Sequence, residues 1–108
     1  MANIFTLTNR EGQLPLVKAT LYLCPPATQT VIKNITVTNT DVASRTFNLY
    51  INNGGGSRLI SVKDQNLFPK YKSSTNEEIF TLVAGDIIEG DASAANKIDY
   101  FINGVEET

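Results

Sequence analysis

Apolar and polar residues alternate along much of this 108-residue chain. The pattern is cleanest over residues 46–52, where Phe47, Leu49 and Ile51 share one parity and Thr46, Asn48, Tyr50 and Asn52 the other. A period of two places successive side chains on opposite faces of a strand, one face buried and one wet. Such a strand belongs to an antiparallel sheet rather than to a parallel one covered on both sides. Over residues 19–24 the same rule sets Ala19, Leu21 and Leu23 on one face, and Pro25-Pro26 ends that strand because neither proline can donate to a ladder. Residues 28–38 form a longer strand with Val31, Ile35 and Val37 on one parity. There Lys33 interrupts the apolar face and Ile32 the polar one, which predicts a bulge or a strand covered on both sides.

Further strands are predicted at residues 3–8, 58–63, 78–83, 86–92 and 98–105. Asn39-Thr40-Asp41 and Ala84-Gly85-Asp86 read as tight turns, the second closing a hairpin, and Asn53-Gly54-Gly55-Gly56-Ser57 as a loop. Pro15 confines residues 14–17 to an edge strand or an extended segment. No apolar period of 3.6 residues persists long enough to argue a helix. About eight strands separated by turn residues predict an all-β, single-domain antiparallel β-sandwich, jelly-roll-like or immunoglobulin-like. Its facing sheets would bury Ile35, Val37, Phe47, Leu49, Ile51, Leu82 and Ile102. Residues 1–18 would be an N-terminal arm or the first strand, and residues 19–108 the sandwich.

Composition removes more functions than it adds. The chain has no His, no Trp and a single Cys. Ser-His-Asp and Cys-His arrangements are therefore impossible, and a structural zinc site lacks its ligands. Cys24 is expected to be a small buried hydrophobe. The glycine-rich loop lacks the Gly-Lys-Ser/Thr ending of a phosphate loop. Asp86, Glu89 and Asp91 are closely spaced, but strand periodicity makes them a solvated face rather than a calcium loop. The expectation is a non-enzymatic chain with no cofactor and no metal. Neither a signal peptide nor a membrane span is readable.

Charge is uneven. Residues 1–72 hold eight basic and three acidic residues, a sum of +5, whereas residues 73–108 hold one basic and eight acidic, a sum of −7. The net charge of −2 predicts no attraction to nucleic acid or to an anionic membrane. The two halves either neutralise each other within one domain or offer complementary surfaces to neighbouring subunits. Arg58, Lys63, Lys70 and Lys72, interleaved with Phe68 and Tyr71, are read as a basic surface for another protein chain or for solvent. Ile4, Phe5 and Leu7 would give an apolar arm able to add a strand to a partner sheet.

Several blocks in order carry a resemblance. They are Ala19-Thr20-Leu21-Tyr22, Cys24-Pro25-Pro26-Ala27-Thr28, Val31-Ile32-Lys33-Asn34-Ile35-Thr36-Val37-Thr38-Asn39-Thr40 and Phe47-Asn48-Leu49-Tyr50-Ile51, followed by Leu82-Val83-Ala84-Gly85-Asp86-Ile87-Ile88, Ala92-Ser93-Ala94-Ala95-Asn96 and Ile102-Asn103-Gly104-Val105-Glu106. Together, over residues 19–106, this order resembles small β-sandwich virion proteins of tailed bacteriophages, of the capsid decoration (cement) type. The stretch 64–76 departs from the pattern in being irregular and basic. The resemblance implies a structural protein that binds the outer capsid shell, bridges neighbouring copies of the major capsid protein and forms a homo-oligomer, a trimer by preference. It places the protein in the virion, assembled in the bacterial host cytoplasm. A neck, tail or fibre-attachment component and a carbohydrate-binding sandwich are the alternatives. The interface residues expected are Ile4, Phe5, Leu7, Arg58, Lys63, Lys70, Tyr71 and Lys72.

Overall fold

A computed structural model describes residues 3–7, 10–61, 63–74 and 80–108. Eleven strands are present among them: β1 (Ile4–Thr6), β2 (Glu11–Gln13), β3 (Ala19–Leu23), β4 (Gln29–Asn39), β5 (Arg45–Asn52), β6 (Ser57–Leu59), β7 (Gln65–Leu67), β8 (Lys72–Ser74), β9 (Phe80–Val83), β10 (Ile87–Ala92) and β11 (Ile98–Glu107). All strand pairs are antiparallel.

Three pairs of short strands lie end to end on one neighbour. β1 and β2 both pair with β11, β8 and β9 with β4, and β6 and β7 with β5. Eleven strands thus fill eight lanes, four in each sheet. With lanes numbered along the chain, the first sheet runs 1–8–3–6 (β1/β2, β11, β4, β8/β9) and the second 2–7–4–5 (β3, β10, β5, β6/β7). The chain changes sheet at every lane but one, the step from β5 to β6. This interleaving of two Greek keys is the jelly-roll form of the sandwich. Three of the four edge lanes are broken into three- or four-residue strands, a device that blunts sheet edges against further pairing.

The core lies between the sheets. Ile35, Val37, Phe47, Leu49, Leu82 and Ile102 are buried as the periodicity requires, and Ile51 is partly buried against them. Leu14, Ile32, Ile88 and Ile98 are among the other residues buried with them. The parity change at Ile32 and Lys33 is a bulge: Asn103 pairs with Asn34, but Gly104 pairs with Ile32, leaving Lys33 unmatched. Ile32 thereby turns inward and Lys33 outward. The bulge presses the β4 backbone onto Gly104, where a Cβ would stand 2.1 Å from the Val31 carbonyl oxygen. Only glycine fits that approach.

Several elements differ from the sequence expectation. A second bulge skips Leu21 opposite the Ile88/Glu89 step, so Leu21 and Tyr22 are both buried and Leu23 faces out. Period-two logic had placed Leu21 and Leu23 together; the inserted residue reverses the parity after it. The strand expected over 58–63 stops at Leu59, and residue 62 lies outside the described residues. Of the strands expected over 78–83 and 3–8, residues 78, 79 and 8 likewise lie outside them. The Ala84-Gly85 turn closes no hairpin, because β9 pairs with β4 in the first sheet whereas β10 pairs with β3 and β5 in the second. Gly85 at φ 93° makes the tight reversal, which carries the chain across the sandwich.

Candidate assembly surfaces

A polar cluster lies between the two sheets. Tyr22 on β3 donates its hydroxyl to Glu106 Oε2 on β11 at 2.5 Å and lies 2.8 Å from Thr30 Oγ1 on β4. Cys24 Sγ is 3.2 Å from the same threonine oxygen. Tyr22, Cys24, Thr30 and Glu106 are all buried. Burial first, and then the bond to the Glu106 carboxylate, push the Tyr22 phenol far up from its ordinary value. The cluster ties one sheet to the other. Sequence reasoning singled out neither Tyr22 nor Glu106; the even spacing of Ile98, Ile102 and Glu106 on β11 was the available signal.

A second network lies on the outer face of the second sheet. Tyr50 donates to Asp91 Oδ2 at 2.9 Å, and Asn48 Nδ2 donates to Asp91 Oδ1 at 2.8 Å and to Asp64 Oδ1 at 3.0 Å. The Asp64 amide donates back to Asn48 Oδ1 at 2.7 Å, which fastens Asp64 to β5. Ser57 donates to Glu89 Oε1 at 2.5 Å and accepts from Lys18 Nζ, whose ammonium sits 5.1 Å from the centre of the Tyr50 ring. Burial, followed by the Asp91 bond and charge, pushes Tyr50 up to about 12. Glu89 and Asp91 share the outer face of β10, but it is not the solvated face expected: Glu89 is buried and Asp91 half-buried, because hydroxyls and an amide cover them. No group of three or more metal-ligating side chains converges among the described residues.

The molecule measures 48 × 25 × 22 Å, and five of the residues expected at an interface, Ile4, Phe5, Lys70, Tyr71 and Lys72, lie at its two ends. At the end where β4 finishes, Asn39 is fully buried and donates to the carbonyls of Ala43 and Leu67. It also accepts the Asp41 amide, and its own amide donates to the Tyr71 carbonyl. Asn39 thus ties together loops 40–44 and 68–71. On them Val42, Phe68 and Tyr71 are exposed, with Phe68 and Tyr71 edge to face at 5.9 Å. Lys70 and Lys72 are exposed beside them. Asp41 is held below the usual carboxylate range by its bond to Arg45, so that pair is neutral within itself.

At the opposite end, Ile4 pairs with Glu107, Glu107 with Gln29, and Gln29 with Val83, forming one row across the first sheet. Val105 and Val31 pair in the next row but one. Ile4 is 64% exposed and Val83 57%, while Val31 and Val105 are half-buried. Phe5 is exposed at the same edge. Leu7, by contrast, packs in the core. Arg58 pairs with Ile51, away from Lys70 and Lys72, and Lys63 is exposed next to Asp64 on the second sheet. The structure therefore brings together Lys70, Tyr71 and Lys72, and separately Ile4 and Phe5. The acidic C-terminal strands β10 and β11 occupy inner lanes, so the linear charge split does not become two oppositely charged faces.

Neither protein-family models nor curated protein sequences match the chain. Among solved structures it is similar to a protein of the T13 particle of the virus IBDV, at 12% identity and a TM-score of 0.52. That alignment covers 98% of this chain but 30% of the particle protein, so the chain spans under a third of its length. Weaker likenesses are to a pentameric capsid protein from metagenomic phage sequences (12% identity, TM-score 0.40, covering 96% of this chain and 59% of that one) and to the infectious bursal disease virus Gt strain (13% identity, TM-score 0.45, 98% and 31%). At such identities the IBDV likeness shows the fold alone, and that fold agrees with the lane order: this chain is an all-β antiparallel sandwich of jelly-roll form.

Proposed function

We propose that this chain is a non-enzymatic structural protein of a virion, most specifically a decoration protein that binds the outer capsid shell and bridges neighbouring capsid proteins. The observation that carries the reading is the jelly-roll lane order, 1–8–3–6 over 2–7–4–5, the fold shared with the IBDV particle protein. Fold alone does not dictate function. Three features of this chain add support. Its inward and outward polar networks are satisfied by internal partners, which suits a rigid building block. Three of its four edges are broken, so a free subunit resists strand pairing there. Part of its exposed apolar surface, Val42, Phe68 and Tyr71 at one end and Ile4 and Val83 at the other, is available for contacts with other chains.

Under this reading Ile4, Phe5, Lys70, Tyr71 and Lys72 take part in contacts, and the chain assembles with itself and with the major capsid protein. Arg58 and Lys63 are secondary contacts on the second sheet. The segment 1–18 acts as part of the sandwich through β1, β2, Leu7 and Leu14, with Ile4 and Phe5 reaching its rim. Purified protein added to shells lacking it should raise their melting temperature and appear on them in hundreds of copies (the order implied by the resemblance). Labelling confined to a neck or tail, in about a dozen copies on the same reckoning, would move it to those structures. Absence from particles would overturn the reading.

A further inference from the structure

We propose that Asn53 is a site of spontaneous covalent modification, its carboxamide closing onto the Gly54 backbone nitrogen and hydrolysing to aspartate or isoaspartate, while the fold shields the Asn103–Gly104 step from the same reaction. This goes beyond the virion reading and does not depend on it. Asn53 and Asn103 are the two asparagines followed by glycine. Glycine matters there because the attacking nitrogen belongs to a residue with no Cβ to crowd its approach. The Gly54 nitrogen forms a bond to Asn53 Cγ and loses its proton. The Cγ–Nδ2 bond breaks, and the nitrogen leaves as ammonia with that proton. Water then opens the cyclic imide at one of its two carbonyls, which gives aspartate from one side and isoaspartate from the other.

Ring closure requires rotation about the asparagine Cα–C bond until the next backbone nitrogen eclipses its Cβ. The loop at Asn53 permits that rotation. Asn52 pairs with Ser57 to close the β5–β6 hairpin, which leaves residues 53–56 as its loop. Asn53 and Gly54 are exposed, and a Cβ built on Gly54 would meet nothing within 4 Å. Asn53 Oδ1 accepts the Gly55 amide at 3.4 Å, a donor aimed at the oxygen on which negative charge gathers when Cγ is attacked. The Gly54 N–H donates to Asn52 Oδ1 at 2.9 Å. An N–H bond lies in the peptide plane, so that contact leaves both faces of the nitrogen open.

Asn103 is exposed as well, so side-chain exposure does not separate the two sites. The backbone does. Asn103 and Gly104 lie in β11, an inner lane, paired with Asn34 and Ile32 of β4. A Cβ on Gly104 would stand 2.1 Å from the Val31 carbonyl oxygen. Turning the Asn103–Gly104 peptide would therefore drive backbone into backbone, and the reaction must wait for β11 to part from β4. Central strands open at free energies that approach global unfolding, whereas exposed loops open at almost none.

The experiment incubates the whole chain at mildly alkaline pH, folded and in guanidinium chloride, and follows both asparagines by peptide mass mapping. In the folded chain Asn53 should convert at least about tenfold faster than Asn103. In denaturant that ratio should collapse, because the strand no longer holds Gly104. Isoelectric focusing of the folded chain should show a growing species one negative charge beyond the net −2 of the sequence. Asn53→Gln should remove that species and Asn103→Gln should leave it, with circular dichroism checking that both variants fold. No conversion at Asn53 in the folded chain would overturn the proposal, as would Asn103 converting equally fast there. A ratio unchanged by denaturant would place the difference in local sequence and overturn it too.

Discussion

Two tyrosine–carboxylate pairs, Tyr22–Glu106 and Tyr50–Asp91, use the same chemistry in opposite settings. The first bridges the two sheets inside the sandwich, next to the bulge that forces β4 against Gly104. The second lies on the outer face of one sheet, where Asn48 also donates to Asp91 and Lys18 sits over the tyrosine ring. A buried polar group that loses a partner incurs its desolvation cost, whereas a group near the surface can recruit water. The inner pair is therefore a constraint on the fold, and the outer pair a redundant fastening between β5 and β10.

The largest test of this contrast is Gly104→Ala. Its Cβ would meet backbone on β4, and the strand pairing beside Glu106 would have to open, costing about 3 kcal/mol or more in urea unfolding. A cost near zero would mean that the inner region yields freely. Tyr22→Phe removes one donor from Glu106 and should cost about 1–3 kcal/mol, while Tyr50→Phe should cost less than about 1 kcal/mol. Equal losses in the two variants would abolish the distinction.

An alkaline titration gives the smallest effect. Tyr50 has a folded-state value raised to about 12, against about 10 for a free phenol. Because the folded state favours the neutral phenol, its contribution is complete below about pH 10 and is lost as pH rises through about 12. Phenolate absorbance should therefore show Tyr50 ionising near pH 12 in the folded protein, and Tyr22 ionising only as the sandwich opens. A Tyr50→Phe variant whose stability falls as steeply over this range as the wild type would remove the outer pair as the source.

Much of the sandwich was legible because strand burial leaves a local trace. Strict alternation located β5, and Pro25-Pro26 located the end of β3. The misplaced apolar residue Ile32 and its neighbour Lys33 marked the bulge, since a shift of one residue moves every following side chain to the other face. The Leu21 bulge left no such trace: Leu21, Tyr22 and Leu23 are all apolar enough for either face. The residues expected at an interface are less grouped in space than in that expectation. Lys70, Tyr71 and Lys72 adjoin in sequence and stay together in space, but Leu7 is core and Arg58 is set apart on β6.

The sequence by itself determined the longer antiparallel strands, part of the apolar set between the sheets and the absence of histidine chemistry, but not the short strands β2, β7 and β8. Each of these depends on residue type and near-neighbour spacing. Tertiary structure alone decided that the turn at Gly85 crosses between sheets, that eleven strands share eight lanes, and that Tyr22 meets Glu106 across 84 positions of chain. It also decided that the acidic strands β10 and β11 occupy inner lanes, while Glu107 and Lys70 end up at opposite poles. Turn chemistry reverses the chain equally well within a sheet or across it. Which lane the next strand joins is set by the burial of both sheets at once, a long-range condition with no local signature.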